Sequence, residues 1–234
     1  MTVEVRRADE RFHTATDWLD SWHSFSFGPH YDPSNTHHGL LLVLNDDVVA
    51  PGTGFGMHPH RDMEIVTWVF DGSLEHRDSE GNHGVIEPGL AQRMSAGRGI
   101  RHSEMNPSTT APVRLVQMWV QPDTEGIEPG YEQRWVGDAL DRGELVPIAS
   151  GQGHDGAVRL HQRDAVCRVG RLPAAATVVV PDAPHVHVYV ARGSADLEGA
   201  GVLRAGDAAR LTDAGSPSLT IGPDGAEVVV WETA

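Results

Sequence analysis

Two short segments place pairs of metal-ligand side chains one residue apart. They are Gly52-Thr53-Gly54-Phe55-Gly56-Met57-His58-Pro59-His60 and Gly97-Arg98-Gly99-Ile100-Arg101-His102-Ser103-Glu104-Met105-Asn106. In a β-strand, side chains at i and i+2 point to the same face. His58 and His60 therefore converge on one point, and His102 and Glu104 do so from a second strand. Three imidazoles and one carboxylate suit a borderline divalent metal: Fe(II), Mn, Ni, Cu, Co or Zn. Thiolate clusters are excluded, because the single cysteine, Cys167, lies far from both segments.

The spacing carries more information than the histidines alone. Gly52, five residues, His58-x-His60, three residues and Glu64 follow the first cupin motif. Its closing glycine, Gly72, arrives one residue late. Gly99, His102 and Asn106 fit the second motif, Gly-x-x-His-x-x-x-Asn, with Gly97-Arg98-Gly99 standing where a Pro-x-Gly turn is usual.

Three stretches narrow the resemblance: Ser21-Trp22-His23-Ser24-Phe25-Ser26-Phe27, His58-Pro59-His60-Arg61-Asp62-Met63-Glu64, and Met94-Ser95-Ala96-Gly97-Arg98-Gly99-Ile100-Arg101-His102-Ser103-Glu104. Together they resemble the pirin family, two-domain cupins with iron in the first domain. The resemblance is dense to about residue 135 and thin beyond. It implies His58, His60, His102 and Glu104 as ligands, with Fe(II) first among the metals. Glu64, a ligand in many other cupins, is then expected to support a ligand imidazole from outside, and Asn106 to lie beside the centre. The implied fold is all-β: two antiparallel cupin (jelly-roll) barrels, a bicupin. Residues 1–135 would form the metal-binding half, and residues 136–234 a cupin-like half without a complete metal site.

Composition excludes several classes. The formal net charge of −15 repels phosphate backbones and anionic membranes. All 18 basic residues are arginine, so Schiff-base lysine chemistry is excluded. No apolar run approaches the roughly 18 residues that span a bilayer. One cysteine forms no internal disulfide, which suits a reducing cytoplasm. Cys167 reads as a small buried hydrophobe. A monomer is the default expectation at this length.

Short alternating runs separated by turn residues predict strands throughout. In the first half these are Leu40–Leu44, stopped by Asn45-Asp46-Asp47, then Glu64–Phe70, Leu74–Asp78, Leu90–Met94 and Val113–Gln121. The last is apolar on both faces, as a strand shared between two packed layers would be. Thr16–Trp22 reads as a short helical turn, and Gln121–Gly130 as the connection between halves. The second half predicts strands at Val158–His161, Ala165–Leu172, Thr177–Val180, His187–Ala191, Ala208–Leu211, Ser218–Ile221 and Glu227–Trp231. Arg192-Gly193 and Gly222-Pro223-Asp224-Gly225 read as turns. His185-Val186-His187 imitates the first motif, but no later histidine completes it, and metal sites use at least three protein ligands. His76 and His83, beside a turn, read as solvated. Arg61, Arg98 and Arg101 flank the ligands and could meet an anionic substrate or a neighbouring carboxylate.

The resemblance implies a quercetin 2,3-dioxygenase-like enzyme acting on a flavonol-like enol and O2. Glu104 would serve as ligand and base. A different reading is a non-enzymatic iron-binding regulator that engages a protein partner according to metal oxidation state. A cupin isomerase fits the fold but has no motif in its favour.

Overall fold

The computed structural model describes residues 2–234 and is almost entirely antiparallel β-structure. Two sheets build the first barrel. A seven-stranded sheet runs Gly130–Trp135, Leu90–Ser95, Glu64–Asp71, Val113–Val120, Leu41–Val49, Leu19–His23, Phe12–Ala15. Against it lies a four-stranded sheet in the order Gly54–His60, Ile100–Met105, Leu74–Asp78, His83–Ile86. The second half is one nine-stranded sheet, with the central order Ala208–Thr212, His185–Leu197, Ser218–Thr233, Ala165–Leu172 and Val146–Ser150. Its outer strand is Thr2–Arg6, which pairs antiparallel with Ala208–Thr212. No helix among the described residues is long and apolar enough to cross a membrane.

Alternating side chains sort the core into three main zones and a smaller cluster of Ile65, Met94, Ala96 and Ile100. Val49, Val69, Val113 and Leu115 fill the first barrel. Val186, Val188, Val190 and Leu219 fill the second. Between the halves, Trp68, Met118 and Val120 meet Cys167, Tyr189, Val229 and Trp231. Val113–Val120 does divide its faces: Leu115 points into the barrel and Met118 towards the second half. Each fully buried Val, Leu or Met contributes about 1.5–3 kcal/mol. This sheet-on-sheet contact therefore holds the halves firmly.

Three sequence expectations fail here for physical reasons. Leu41–Val49 runs straight through Asn45, Asp46 and Asp47, all buried, because each polar side chain finds a partner. Asn45 Oδ1 lies 2.9 Å from His23 Nδ1, Ser21 donates to Asp47, and Asp46 accepts from Arg114 Nη2 at 2.7 Å and from the Tyr189 hydroxyl. Satisfied polar groups do not end a strand. Thr16–Trp22 is not a helical turn. The Thr16 hydroxyl accepts the Trp18 and Leu19 amides at 3.3 and 3.0 Å, and the chain then enters the strand Leu19–His23. Finally, Arg192-Gly193 and Gly222–Gly225 do not end their strands. The register shifts at Val190/Arg192 and at Gly193/Ala195, where Gly222–Gly225 bulge out unpaired, and the ladder resumes on either side.

The Asp46 cluster crosses between the halves: Arg114 grips Asp46 through Nε and Nη2 and also donates to Ala191 O at 3.0 Å. Asp46→Ala should leave a half-buried guanidinium and a buried phenol without their shared acceptor, and cost about 3 kcal/mol. Urea unfolding checks this; a loss under about 1 kcal/mol, the worth of a surface pair, would contradict it.

Candidate metal centre

Strands Gly54–His60 and Ile100–Met105 are antiparallel neighbours, with His102 directly opposite His58. The ring centroids of His58 and His102 lie 4.4 Å apart, those of His58 and His60 4.8 Å, and those of His60 and His102 4.9 Å. Ligand nitrogens from all three fall within 4.8 Å of one another. A bulge between His102 and Glu104 sets Glu104 opposite Phe55. The backbones are so close that a Cβ added at Gly54 would sit 2.2 Å from Glu104 O.

Hydrogen bonds decide which nitrogen His58 and His102 offer. His58 Nδ1 lies 2.7 Å from Gly56 O and must donate to it, which frees Nε2. His102 is held from behind. His76 Nε2 donates to Asp78 Oδ2 at 3.1 Å, so His76 Nδ1 is an acceptor. It receives the proton of His102 Nδ1 at 3.4 Å, leaving a lone pair on His102 Nε2. That Nε2, and the Nε2 of His60, are buried without a hydrogen-bond partner. A buried nitrogen without a partner is costly unless something binds it. Two Nε2 lone pairs set in this way, with the unpartnered Nε2 of His60 beside them, fit a divalent metal.

Electrostatics favour the ligand state. Burial, reinforced by His102 and His58, lowers the His60 pKa to about 4. Burial, with His58 and His76 beside it, lowers that of His102 to about 3. Both are neutral at pH 7, as metal binding requires. Glu104 is buried beside them, and its ligand oxygen groups with His76 and His102 rather than with all three centre histidines. Gln117 Nε2 donates to Glu104 Oε2 at 2.6 Å, and Trp119 Nε1 donates to Gln117 Oε1 at 3.1 Å, which fixes the amide. Thr67 Oγ1 lies 3.5 Å from the other carboxylate oxygen.

Other expected residues take different positions. Glu64 does not orient a ligand imidazole; its Oε2 accepts the backbone N–H of His161 at 3.0 Å, tying strand Glu64–Asp71 to the second half. Asn106 latches a loop, donating to Val49 O and Ala111 O at 3.1 and 2.9 Å. Arg98 pairs with Glu128, and Arg101 donates to Met57 O. His185 and His187 face away from the valines that fill the second barrel, towards the first half. There the His187 ring lies 5.6 Å from that of Phe25. Among the described residues they join no group of three possible ligands.

His76 is the main omission of the sequence reading, which placed it in solvent; it is fully buried. The signal was available: Leu74, His76 and Asp78 alternate inward on one strand, with Glu75 and Arg77 outward. Gln117 and Thr67 were also missed, since neither belongs to a ligand motif.

The centre opens on a cavity of about 380 Å³. Its apolar wall is Leu19, Phe27, Phe55 and Trp119; its polar wall is Ser21, His23, Asn45 and Asp47.

Family comparison agrees with this geometry. The pirin profile matches residues 4–120, and the profile of the quercetinase C-terminal cupin domain matches residues 147–232. The chain belongs to the pirin family. A Mycobacterium tuberculosis relative, provisionally named quercetin 2,3-dioxygenase, is 59% identical over 99% of this chain and 95% of its own. The Escherichia coli K12 quercetin 2,3-dioxygenase is 49% identical over 68% of each chain. Among solved pirin structures, Escherichia coli YhhW in complex with nickel(II) superposes with a TM-score of 0.91 at 37% identity, covering 99% of both chains.

Two outcomes follow for this pirin. His76→Ala should weaken metal binding by about 10- to 100-fold while the fold persists, because His102 loses its orienting partner; competition with a chelator measures it. Stability of the metal-free protein should fall as pH drops from 6.5 towards 4. His38 and His60 (both about 4), His102 (about 3), His23 and His187 all have folded pKa values below the unfolded 6.5. The unfolded chain therefore gains protons across that window that the folded chain refuses. Asp47, raised to about 7 by burial, acts in the opposite sense, but as one group against five histidines. Tm measured across a pH series reads the balance.

Proposed function

We propose that this pirin is a metal-dependent dioxygenase that opens a flavonol-like enol with O2, with Fe(II) as the working metal. The observation that carries the reading is the convergence of three imidazoles, with a buried carboxylate beside them, on a cavity with an apolar wall. The names of the relatives support the same substrate class. In this reading His58, His60, His102 and Glu104 are the ligands. Residues 1–135 carry the centre, and 136–234 are a cupin-like half that packs against it.

A redox-active divalent metal, when bound, supplies the one-electron chemistry that lets dioxygen react with a closed-shell substrate. The chain does the rest. Phe27, Phe55 and Trp119 are placed to hold flat rings and exclude water. Glu104 takes the proton of the substrate hydroxyl. Gln117 holds Glu104 in one orientation by donating to Oε2, so Oε1, with only the 3.5 Å contact to Thr67, is the freer oxygen for that proton.

Oxygen uptake by the anaerobically Fe(II)-loaded protein on adding quercetin tests the reading. Uptake should be lost, by about 100-fold or more, in Glu104→Gln. With iron bound and no uptake, the dioxygenase reading fails and a redox-responsive partner-binding protein takes its place.

A further inference from the structure

One wall of the cavity carries polar groups that packing alone does not call for. On strand Leu41–Val49, Asp47 stands between Asn45 and Val49 on the face turned into the first barrel. Val49 packs in the apolar core there, and so does Leu115, directly opposite Asp47 on the next strand. A leucine or valine at position 47 would join them without the cost of burying a charge. The chain instead buries a carboxylate, only 4% exposed. Among the described residues Asp47 joins no ion pair, whereas Asp46 beside it is gripped by Arg114.

The two oxygens of Asp47 are used differently. The Ser21 hydroxyl donates to Oδ1. Oδ2 receives no hydrogen bond from the described residues, yet it is not among the polar atoms sealed away without a partner. Since Asp47 lines the cavity, Oδ2 is the oxygen that faces it. Asn45 is arranged in the same way. Its Oδ1 accepts from His23 Nδ1 at 2.9 Å, while its Nδ2 has no partner and is not sealed. The wall therefore presents an acceptor, Asp47 Oδ2, and a donor, Asn45 Nδ2. Residues two apart on one strand face stand about 7 Å from each other.

We propose that Asp47 is a specificity residue whose Oδ2 accepts a phenolic hydroxyl of the substrate other than the one that meets the metal, with Asn45 Nδ2 donating to a second oxygen of the same ligand. The proposal rests on the flavonol reading of the cavity and adds what the cavity selects: a flat phenol with free hydroxyls on its edge, in preference to the same rings without them. Phe27, Phe55 and Trp119 form the apolar wall, so a ring packed against them turns an edge towards Asp47 and Asn45. A hydroxyl donating to an ionised carboxylate makes a bond about twice as strong as one between neutral groups. Asp47 is short of such donors. Burial above all, with Asp46 and Glu104, lifts its carboxyl to about 7, against the Ser21 hydrogen bond and Arg11. A site that commits buried polar groups to a hydroxyl rejects the analogue lacking it, because those groups are left unpaired.

Binding tests this apart from turnover. Quercetin and 3-hydroxyflavone share the 3-hydroxy-4-keto edge that chelates a metal, and only quercetin carries further hydroxyls. Both are titrated by calorimetry into nickel(II)-loaded protein, free of oxygen, at about pH 8, where Asp47 is ionised. The wild type should bind quercetin about tenfold more tightly than 3-hydroxyflavone. Asp47→Asn should weaken quercetin by about tenfold and leave 3-hydroxyflavone within about twofold, with nickel content unchanged. Equal affinity of the wild type for the two ligands overturns the assignment, and this comparison decides it even if the variant fails to fold. Equal weakening of both ligands by Asp47→Asn also overturns it, since Asp47 would then act only on the shared edge or on the fold. Discrimination without oxygen uptake by the Fe(II) protein leaves Asp47 in its role and fails the dioxygenase reading. Uptake without discrimination does the reverse. If neither flavonol binds, both readings fall.

Discussion

Buried polar groups must be partnered, and the strand Leu41–Val49 meets that demand on both faces at once. Asn45 and Asp47 turn into the first barrel, where His23 and Ser21 receive them. Asp46, between them, turns outward to Arg114 and Tyr189. One strand thus fixes the polar wall of the cavity and the seam between the halves. A slip of one residue would send Asp46 into the cavity and Asn45 and Asp47 against the second sheet. The three polar residues define register more sharply than the leucines and valines around them.

The same logic governs the metal centre. His102 reaches forward with Nε2 only because Asp78 and His76 settle the protons behind it. Glu104 faces the centre because Gln117, itself fixed by Trp119, donates to it. Two strands supply the candidate ligands, and neighbouring strands aim them.

Much of this was legible in the sequence. The alternation of His58 with His60, and of His102 with Glu104, marks two strands that the structure does pair side by side, and the motif spacing points to the fold. Ala165–Leu172 and Leu74–Asp78 follow their apolar rhythm to the residue. What stayed hidden depends on contacts distant in sequence. Asn45-Asp46-Asp47 looks like a strand stop until Ser21, His23 and Arg114 are seen beside it. Glu64 looks like part of the centre because its motif places it there, yet His161, nearly a hundred residues on, claims it. His76 had a local signal in its alternation with Leu74 and Asp78, but the nearby turn residues suggested solvent. Gly222–Gly225 has the composition of a turn and does leave the ladder, and only its long partner strand shows that the pairing resumes beyond it.

Thr2–Arg6 closes the edge of the sheet in the second half, with Thr2 opposite Thr212. That pairing spans about two hundred residues, among the most costly loops to close during folding. The second half therefore cannot complete its sheet from its own sequence. Excised alone, it would present the open edge of Ala208–Thr212, a template for pairing with any free strand. The two barrels form a single clasped ring of chain rather than two beads on a string, and the strand Thr2–Arg6 acts as the clasp.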